Sequence, residues 1–346
     1  LTVGERAALV GLEEMIERQA GEGAPEFVAF AVVGDFCLDR YLEIDPTRRE
    51  TSLETGLPVH NVVATRAQPG GAGTILNNLV ALGIGTIWPV GFCGDDGEGY
   101  ELRRALAGLP LNHFLQTDQR RTFTYCKPLL AGKELNRLDT KNWTSTPPAV
   151  QNAIIKSVLA LAPKVDAMIV LDQVDVPETG VVTKRLLAAI RRLAGTKPEH
   201  FFIADSRRGV RGWPPIALKM NAAELAATGC GSAAELARRN GRPVFVTMAE
   251  HGMTGAFPDG TVEHVPALPV RGPIDIVGAG DAVTANLAAS LAAGATLREV
   301  LELASAGASV VIHKLGTTGT ASVPELKSRI VITESRTSIV PSKRRR

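Results

Sequence analysis

Cysteine is scarce and unpatterned. The four residues, Cys37, Cys93, Cys126 and Cys230, form no CxxC pair and have no histidine beside them at ligand spacing. Neither a disulfide framework nor a zinc site is indicated, and a reducing, cytoplasmic setting is expected. Aromatic residues are only 5% of the chain, and 38 basic against 36 acidic side chains leave a net charge of +2. Platforms for base stacking and a field for a phosphate backbone are both lacking, so nucleic acid is not an expected partner. The basic cluster Lys343 to Arg346 reads as a solvated tail. No apolar run is long enough to span a bilayer. The N-terminal stretch, with Glu5, Arg6, Glu13, Glu14, Glu17 and Arg18, lacks the apolar centre of a signal peptide, and no membrane partner is expected. Repeats and low-complexity linkers are missing too. So are the Walker pattern GxxxxGK[ST] and a GxGxxG fingerprint, because Gly91, Gly94, Gly97 and Gly99 fall at other spacings. A dinucleotide oxidoreductase is disfavoured.

What is there is the composition of a folded globular protein, 45% hydrophobic and 21% charged over 346 residues. Leu9, Leu12 and Ile16 predict a helix over 5–20, an N-terminal extension occupying 1–26. Strands are expected at 27–33, 84–90, 165–171, 201–205 and 243–248, with a hairpin near 253–270. Helices are expected at 74–82, 98–107, 149–161, 178–194, 222–228, 232–239, 281–293, 298–313 and 324–330. Strands alternating with long helices predict an α/β fold with a mostly parallel central sheet covered on both faces. The β-prone stretches 40–69 and 120–130 fit that layer poorly. They are expected as short strands and turns of a small accessory sheet, a lid on one domain spanning 27–330, with 331–346 as a tail.

The sharpest chemical signal is Asp275-Ile-Val-Gly-Ala-Gly-Asp281, followed at once by the apolar run AVTANLAASLAAG. Small residues before a helix leave bare N–H groups at its positive end, a ready anion site. Asp281 sits at that same end. An anion hole beside a carboxylate can hold a phosphoryl group and take the proton of an attacking hydroxyl. A tight turn closed by an N-cap or first-turn acid would look the same.

DIVGAGD resembles the DTxGAGD signature of the ribokinase-like (PfkB) carbohydrate kinases. Gly70-Gly71 before a helix is similar to their N-terminal double glycine, Asn221-Ala-Ala-Glu224 to their NxxE motif, and Val246-Thr247 with Gly252 to their nucleotide-side strand and turn. The order and spacing agree over about 27–330. The stretches VGDFCLDRY, PGGAG, NRLD, VTMAEHGM and HKLGTT resemble the subgroup acting on D-glycero-β-D-manno-heptose 7-phosphate.

The resemblance implies a ribokinase-like fold, ATP with Mg²⁺, and a homodimer joined through the lid. It implies Asp281 as general base and the amides of Gly278, Ala279 and Gly280 as the anion hole. Asp39 falls where the family places a sugar-hydroxyl ligand, with Asp35 beside it, Gly70 and Gly71 allowing close approach, and Thr74 and Arg137 on the same side. Asn221 and Glu224 would face the magnesium–phosphate region, where a hard ion that keeps its waters is expected to be met through water. The same pair also reads as a capping box. Thr247, Gly252 and Ser305 would border the nucleotide, and Asp275 and Val277 match a monovalent-cation (K⁺) site of some members.

The chain departs from the pattern on the acceptor side. Thr74 stands where many relatives carry asparagine, Asp172-Gln-Val-Asp-Val lacks the lysine of the heptose enzymes, and Ser305 replaces an asparagine. The second, nucleotidyltransferase domain of bifunctional heptose enzymes has no counterpart in the sequence. The arginines Arg120, Arg121, Arg137, Arg207 and Arg208 are expected to contact phosphate, either one carried by the acceptor or those of ATP. ATP-dependent phosphorylation of a sugar or sugar phosphate is the expected activity. A free-sugar kinase of fructokinase or ribokinase type, or a non-catalytic binding protein on the same fold, is the alternative.

Overall fold

The computed structural model describes residues 29–196 and 201–337. The expected N-terminal helix over 5–20 lies outside them, and the expected tail 331–346 is helical as far as 337 and outside them beyond it. Nine strands form the main sheet: β1 (Ala29–Gly34), β4 (Thr86–Gly94), β5 (Phe114–Thr117), β9 (Ala167–Asp172), β10 (Phe201–Ser206), β11 (Ala217–Asn221), β12 (Val244–Thr247), β13 (Met253–Ala256) and β14 (Val262–Val265). Their order is β14-β13-β12-β11-β10-β9-β1-β4-β5. Pairing is parallel from β12 through β5, and only the pairs β12–β13 and β13–β14 are antiparallel. The period of two along each strand sends alternate side chains into two cores. Phe30, Val32, Ile169, Leu171 and Ile203 face one, packed with α1 (Ala72–Ala81), α7 (Ala279–Ala292), α8 (Leu297–Val311) and the first turns of α9 (Val323–Thr337). Ala31, Val33, Met168, Val170 and Ala204 face the other, with α3 (Pro148–Leu161), α4 (Lys184–Thr196) and α6 (Ala233–Asn240). Two shorter helices, α2 (Gly97–Ala105) and α5 (Ala222–Ala227), complete the set. In α7 the residues from Ala282 to Ser290 are all buried, because alanines leave room for α1 and α8 on either side.

The lid is a second sheet. β2 (Phe36–Thr51) and β3 (Pro58–Gly71) pair antiparallel. β6 (Phe123–Leu130) joins β2 in parallel, and β7 (Lys133–Glu134) and β8 (Leu138–Thr140) pair with β6. The stretch 40–69 is therefore two long strands rather than short ones. Pro46 is absorbed where the register shifts between Ile44 and Arg49, a bulge that needs no donor from proline.

Two further expectations change. The helix expected from 178 begins at Lys184, because the backbone before it is committed to tertiary bonds: Thr179 O accepts from Arg120 and Gly180 O from Thr146. Strands β5 and β11 emerge from stretches too short to read as strands, and sheet pairing decides them.

Candidate active site

At the carboxyl edge of the sheet, β9, β10, β11 and β12 end side by side. Ser206 stands opposite Asp172, and Asn221 opposite Thr247. Open parallel sheets bind their ligands along this edge. The turn into α7 opens onto it. Asp275 builds the turn, its carboxylate accepting from Val277 N at 3.0 Å and Gly316 N at 3.2 Å. Gly278 follows as N-cap with φ of 83°, a left-handed conformation that favours glycine, and no side chain caps the helix. Ala279 N donates to Ile276 O at 3.2 Å, so it is occupied, contrary to its expected place in the anion hole. The amides of Gly278, Gly280 and Asp281 donate to no described residue. The bare set is thus shifted by one residue towards the helix, and it still converges at the positive end of α7.

Asp281 lies in the first turn of α7, and the residue is half-buried. Withdrawal from water and then the Asp205 carboxylate push its pKa up to about 7, against the pull of Lys219. Asp39 also raises it and Arg207 lowers it, so lid and sheet edge both act on one carboxyl. Beneath the turn, Lys219 Nζ donates to Asp205 Oδ2 at 2.7 Å, and Thr284 Oγ1 donates to the same oxygen at 3.1 Å. A Cβ on Gly280 would stand 3.1 Å from Lys219 Nζ. Desolvation lowers the Lys219 pKa and Asp205 more than offsets it, so the ammonium stays charged. Sequence reasoning missed this buried pair. Its one signal was a lysine inside the otherwise apolar run before Asn221.

Across the cleft, Asp39 is buried on β2 and paired with Lys127 of β6 at 3.2 Å. The double glycine is explained by crowding. A Cβ on Gly70 would overlap the Asp39 carboxylate, and one on Gly71, at φ of 58°, would lie 2.5 Å from Asp35 O. Asp35 itself is fully occupied elsewhere: its carboxylate accepts from the amides of Gln173, Val174 and Val181. Burial, then the Asp172 charge, raise its pKa to about 6 against those three bonds. It braces the loop after β9 and offers no face to a sugar. Thr74 Oγ1 is buried without a partner, and its methyl stands 3.4 Å from a Cβ placed on Gly278, so an unsatisfied hydroxyl borders the turn. Arg137 pairs with Asp139 at 2.7 Å and lies over Tyr125, the residue opposite Asp39 on β6. Between the lid and the turn is a cavity of about 380 Å³, bordered by Tyr41, Glu43, Arg66, Lys127, Asp275 and Gly316.

On the nucleotide side, Asn221 and Glu224 form a full capping box, each accepting from the other's amide at 2.9 and 2.7 Å. Thr247 Oγ1 donates to Met220 O at 3.3 Å. Gly252, at φ of 88°, makes a turn in which any Cβ would overlap Val265 O. Ser305 is half-buried on α8. The arginine cluster largely dissolves. Arg120 is buried with its guanidinium on the carbonyls of Thr144 and Thr179, Arg208 is paired with Asp172, and Arg121 with Asp96. Arg207 alone among these acts on Asp281. The cations that do border the cavity, Arg66 and Lys127, were not singled out by the sequence.

A glycine-capped helix end meeting a carboxylate, roofed by a lid sheet, is the arrangement of a ribokinase-like phosphotransferase. Comparison with known proteins agrees. The model of the pfkB family carbohydrate kinases matches residues 215–324. The bifunctional protein HldE of Azorhizobium caulinodans is 32% identical over 330 residues, covering 91% of this chain and 67% of that protein. Its counterpart in Hyphomonas neptunium is 30% identical, covering 93% of this chain and 66% of its own length. The chain thus spans about two thirds of the length of these relatives. Among solved structures, Arabidopsis thaliana ribokinase complexed with ribose and ATP is similar with a TM-score of 0.62 at 19% identity, over 89% of this chain and 99% of that one. Escherichia coli phosphofructokinase-2 is similar with a TM-score of 0.66 at 18% identity, over 89% of this chain and 99% of that one. The chain belongs to the pfkB family of carbohydrate kinases and is a sugar kinase.

Proposed function

We propose that the chain transfers the γ-phosphoryl group of ATP to a hydroxyl of a sugar phosphate of the heptose 7-phosphate type. The observation that carries this is Asp281, a carboxyl with a pKa of about 7 at the open end of α7, under electrostatic influence from Asp39 of the lid. As base it takes the acceptor's proton, while the amides of Gly278, Gly280 and Asp281 receive the developing charge on the transferred group. Asp39 orients the sugar hydroxyls. Glu224 keeps one carboxylate oxygen outside the capping box, which suits Mg²⁺ held through water. An ion held there would supply charge that neutralises the phosphates of the nucleotide. Asp275 does not suit a monovalent cation in the same way, since both its oxygens brace backbone amides, and no step is assigned to K⁺.

A second reading has its own observation. The two cations bordering the cavity are already neutralised, Lys127 by Asp39 and Arg66 by Glu43 at 3.4 Å. That favours an uncharged acceptor. A coupled assay of ADP release separates the readings, using D-glycero-β-D-manno-heptose 7-phosphate, the free heptose, fructose 6-phosphate and ribose. A preference of about a hundredfold or more in kcat/KM for the phosphorylated heptose is expected. Equal use of the free sugar would assign the second reading, and no transfer to any of these acceptors would remove the first.

A further inference from the structure

The two halves of the cleft are joined at a place outside the reaction centre. On β3, Gln68 stands directly opposite Asp39. Its side-chain amide donates to Thr318 Oγ1 at 2.7 Å and accepts from Thr317 Oγ1 at 2.9 Å. Two residues back on the same strand, Arg66 Nη1 donates to Gly316 O at 2.8 Å. Three consecutive residues of one loop are therefore held by two lid side chains. That loop lies on the phosphate-binding turn. A Cβ on Gly278 would meet Thr318 Cβ at 3.3 Å, and Gly316 N donates to Asp275, which builds the turn.

The partners of these lid bonds are about 250 residues apart in sequence, so no local structure substitutes for them. Gly316, at φ of 68°, takes a conformation that favours glycine and leaves the loop a flexible point beside these contacts. A planar amide that both donates and accepts fixes the loop in direction as well as distance. Displacement of about 1 Å at a phosphoryl site lowers turnover by as much as a hundredfold.

We infer that Gln68, assisted by Arg66, is a positioning residue that ties the acceptor-binding lid strand to the anion-binding turn, so that acceptor and nucleotide are held interdependently. This rests on the reading of Asp39 and Gly278 given above. The bonded path runs from the residue opposite Asp39, through Thr317 and Thr318, to the contact at Gly278.

The test compares wild type with Gln68→Ala, Thr318→Val and the double variant, by hydrogen exchange of the peptide covering 312–320 and by steady-state kinetics with the best acceptor of the panel above. Faster exchange in that peptide is expected for each single variant, by about tenfold. Turnover should fall about tenfold or more with acceptor KM changed less than about threefold, and the double variant should be no worse than either single, as for residues acting as a unit. Thr318→Val approaches the same bond from the loop side, so misfolding of one variant leaves the other to decide. Unchanged exchange in both, a rise in acceptor KM with kcat preserved, or losses that multiply in the double variant would each overturn the inference. A wild type that phosphorylates nothing would fail the kinase reading instead, with the exchange measurement still deciding whether the loop is held by Gln68.

Discussion

Withdrawn from water and set beside Asp205, the Asp281 carboxyl changes charge at about 7. A base works only when ionised, so kcat should rise through that pH and level off above it. The neighbouring pair gives the control. Lys219→Met removes a cation and should move this limb to higher pH; Asp205→Asn removes an anion and should move it lower, each by about one unit. pH–rate profiles of the two variants check this, and shifts of the same sign would contradict it. Asp281→Asn should lower kcat about 10²–10⁴-fold with ATP binding kept. The same change should stabilise the fold. Because the folded chain holds this proton more tightly than the unfolded one, the group's contribution is lost as pH rises from the ordinary carboxylate range towards 7. Calorimetry should therefore show a Tm gain for Asp281→Asn that is larger at pH 8 than at pH 5. Asp39 calls for a gentler variant, since alanine would strand Lys127. Asp39→Asn should weaken acceptor binding about 10- to 150-fold and ATP binding far less, by titration calorimetry of each ligand.

At the scale of elements, the lid hairpin depends on two glycines for different reasons. Gly71 is needed for its φ of 58° and for the approach to Asp35 O; Gly70 is needed for room beside Asp39. Gly71→Ala should therefore destabilise the protein as a whole, whereas Gly70→Ala should chiefly raise acceptor KM. Denaturation midpoints and kinetics of the two variants distinguish these outcomes. How far the elements could be read in advance follows the same physics. The helices over 148–161, 222–227 and 279–292 were legible because apolar spacing and small residues mark them locally. The double glycine and GAGD were legible because close approach and bare amides restrict residue type. The strand Ala217–Asn221 was not, since its pairing partners lie elsewhere in the chain. Nor could spacing reveal that Asp35 turns inward, that Arg120 is spent on carbonyls, or that Lys127 and Gln68 reach the site. Those facts belong to tertiary hydrogen bonds.

For the whole molecule, the lid sheet ends in β3, an edge strand whose outer partner is missing among the described residues. Leu53, Leu57, Val62 and Val63 are exposed on that hairpin. An open apolar edge invites pairing, and we propose a second copy as the partner, forming a homodimer through the lids. Sedimentation at micromolar concentration should give a dimer for wild type and a monomer for Val63→Lys, and a monomeric wild type would exclude it. Among the described residues no helix is long and apolar enough to cross a membrane. The sheet order carries one more consequence. β1, the earliest described strand, lies between β9 and β4, and Ala29 N donates to the carboxylate of Asp166, 137 residues later. A chain leaving the ribosome must wait for β9 before this interior strand is flanked on both sides, and closing so long a loop is slow. Refolding should accordingly be late to protect the amides of β1, and fragments ending before 167 should expose the edge of β1 and aggregate.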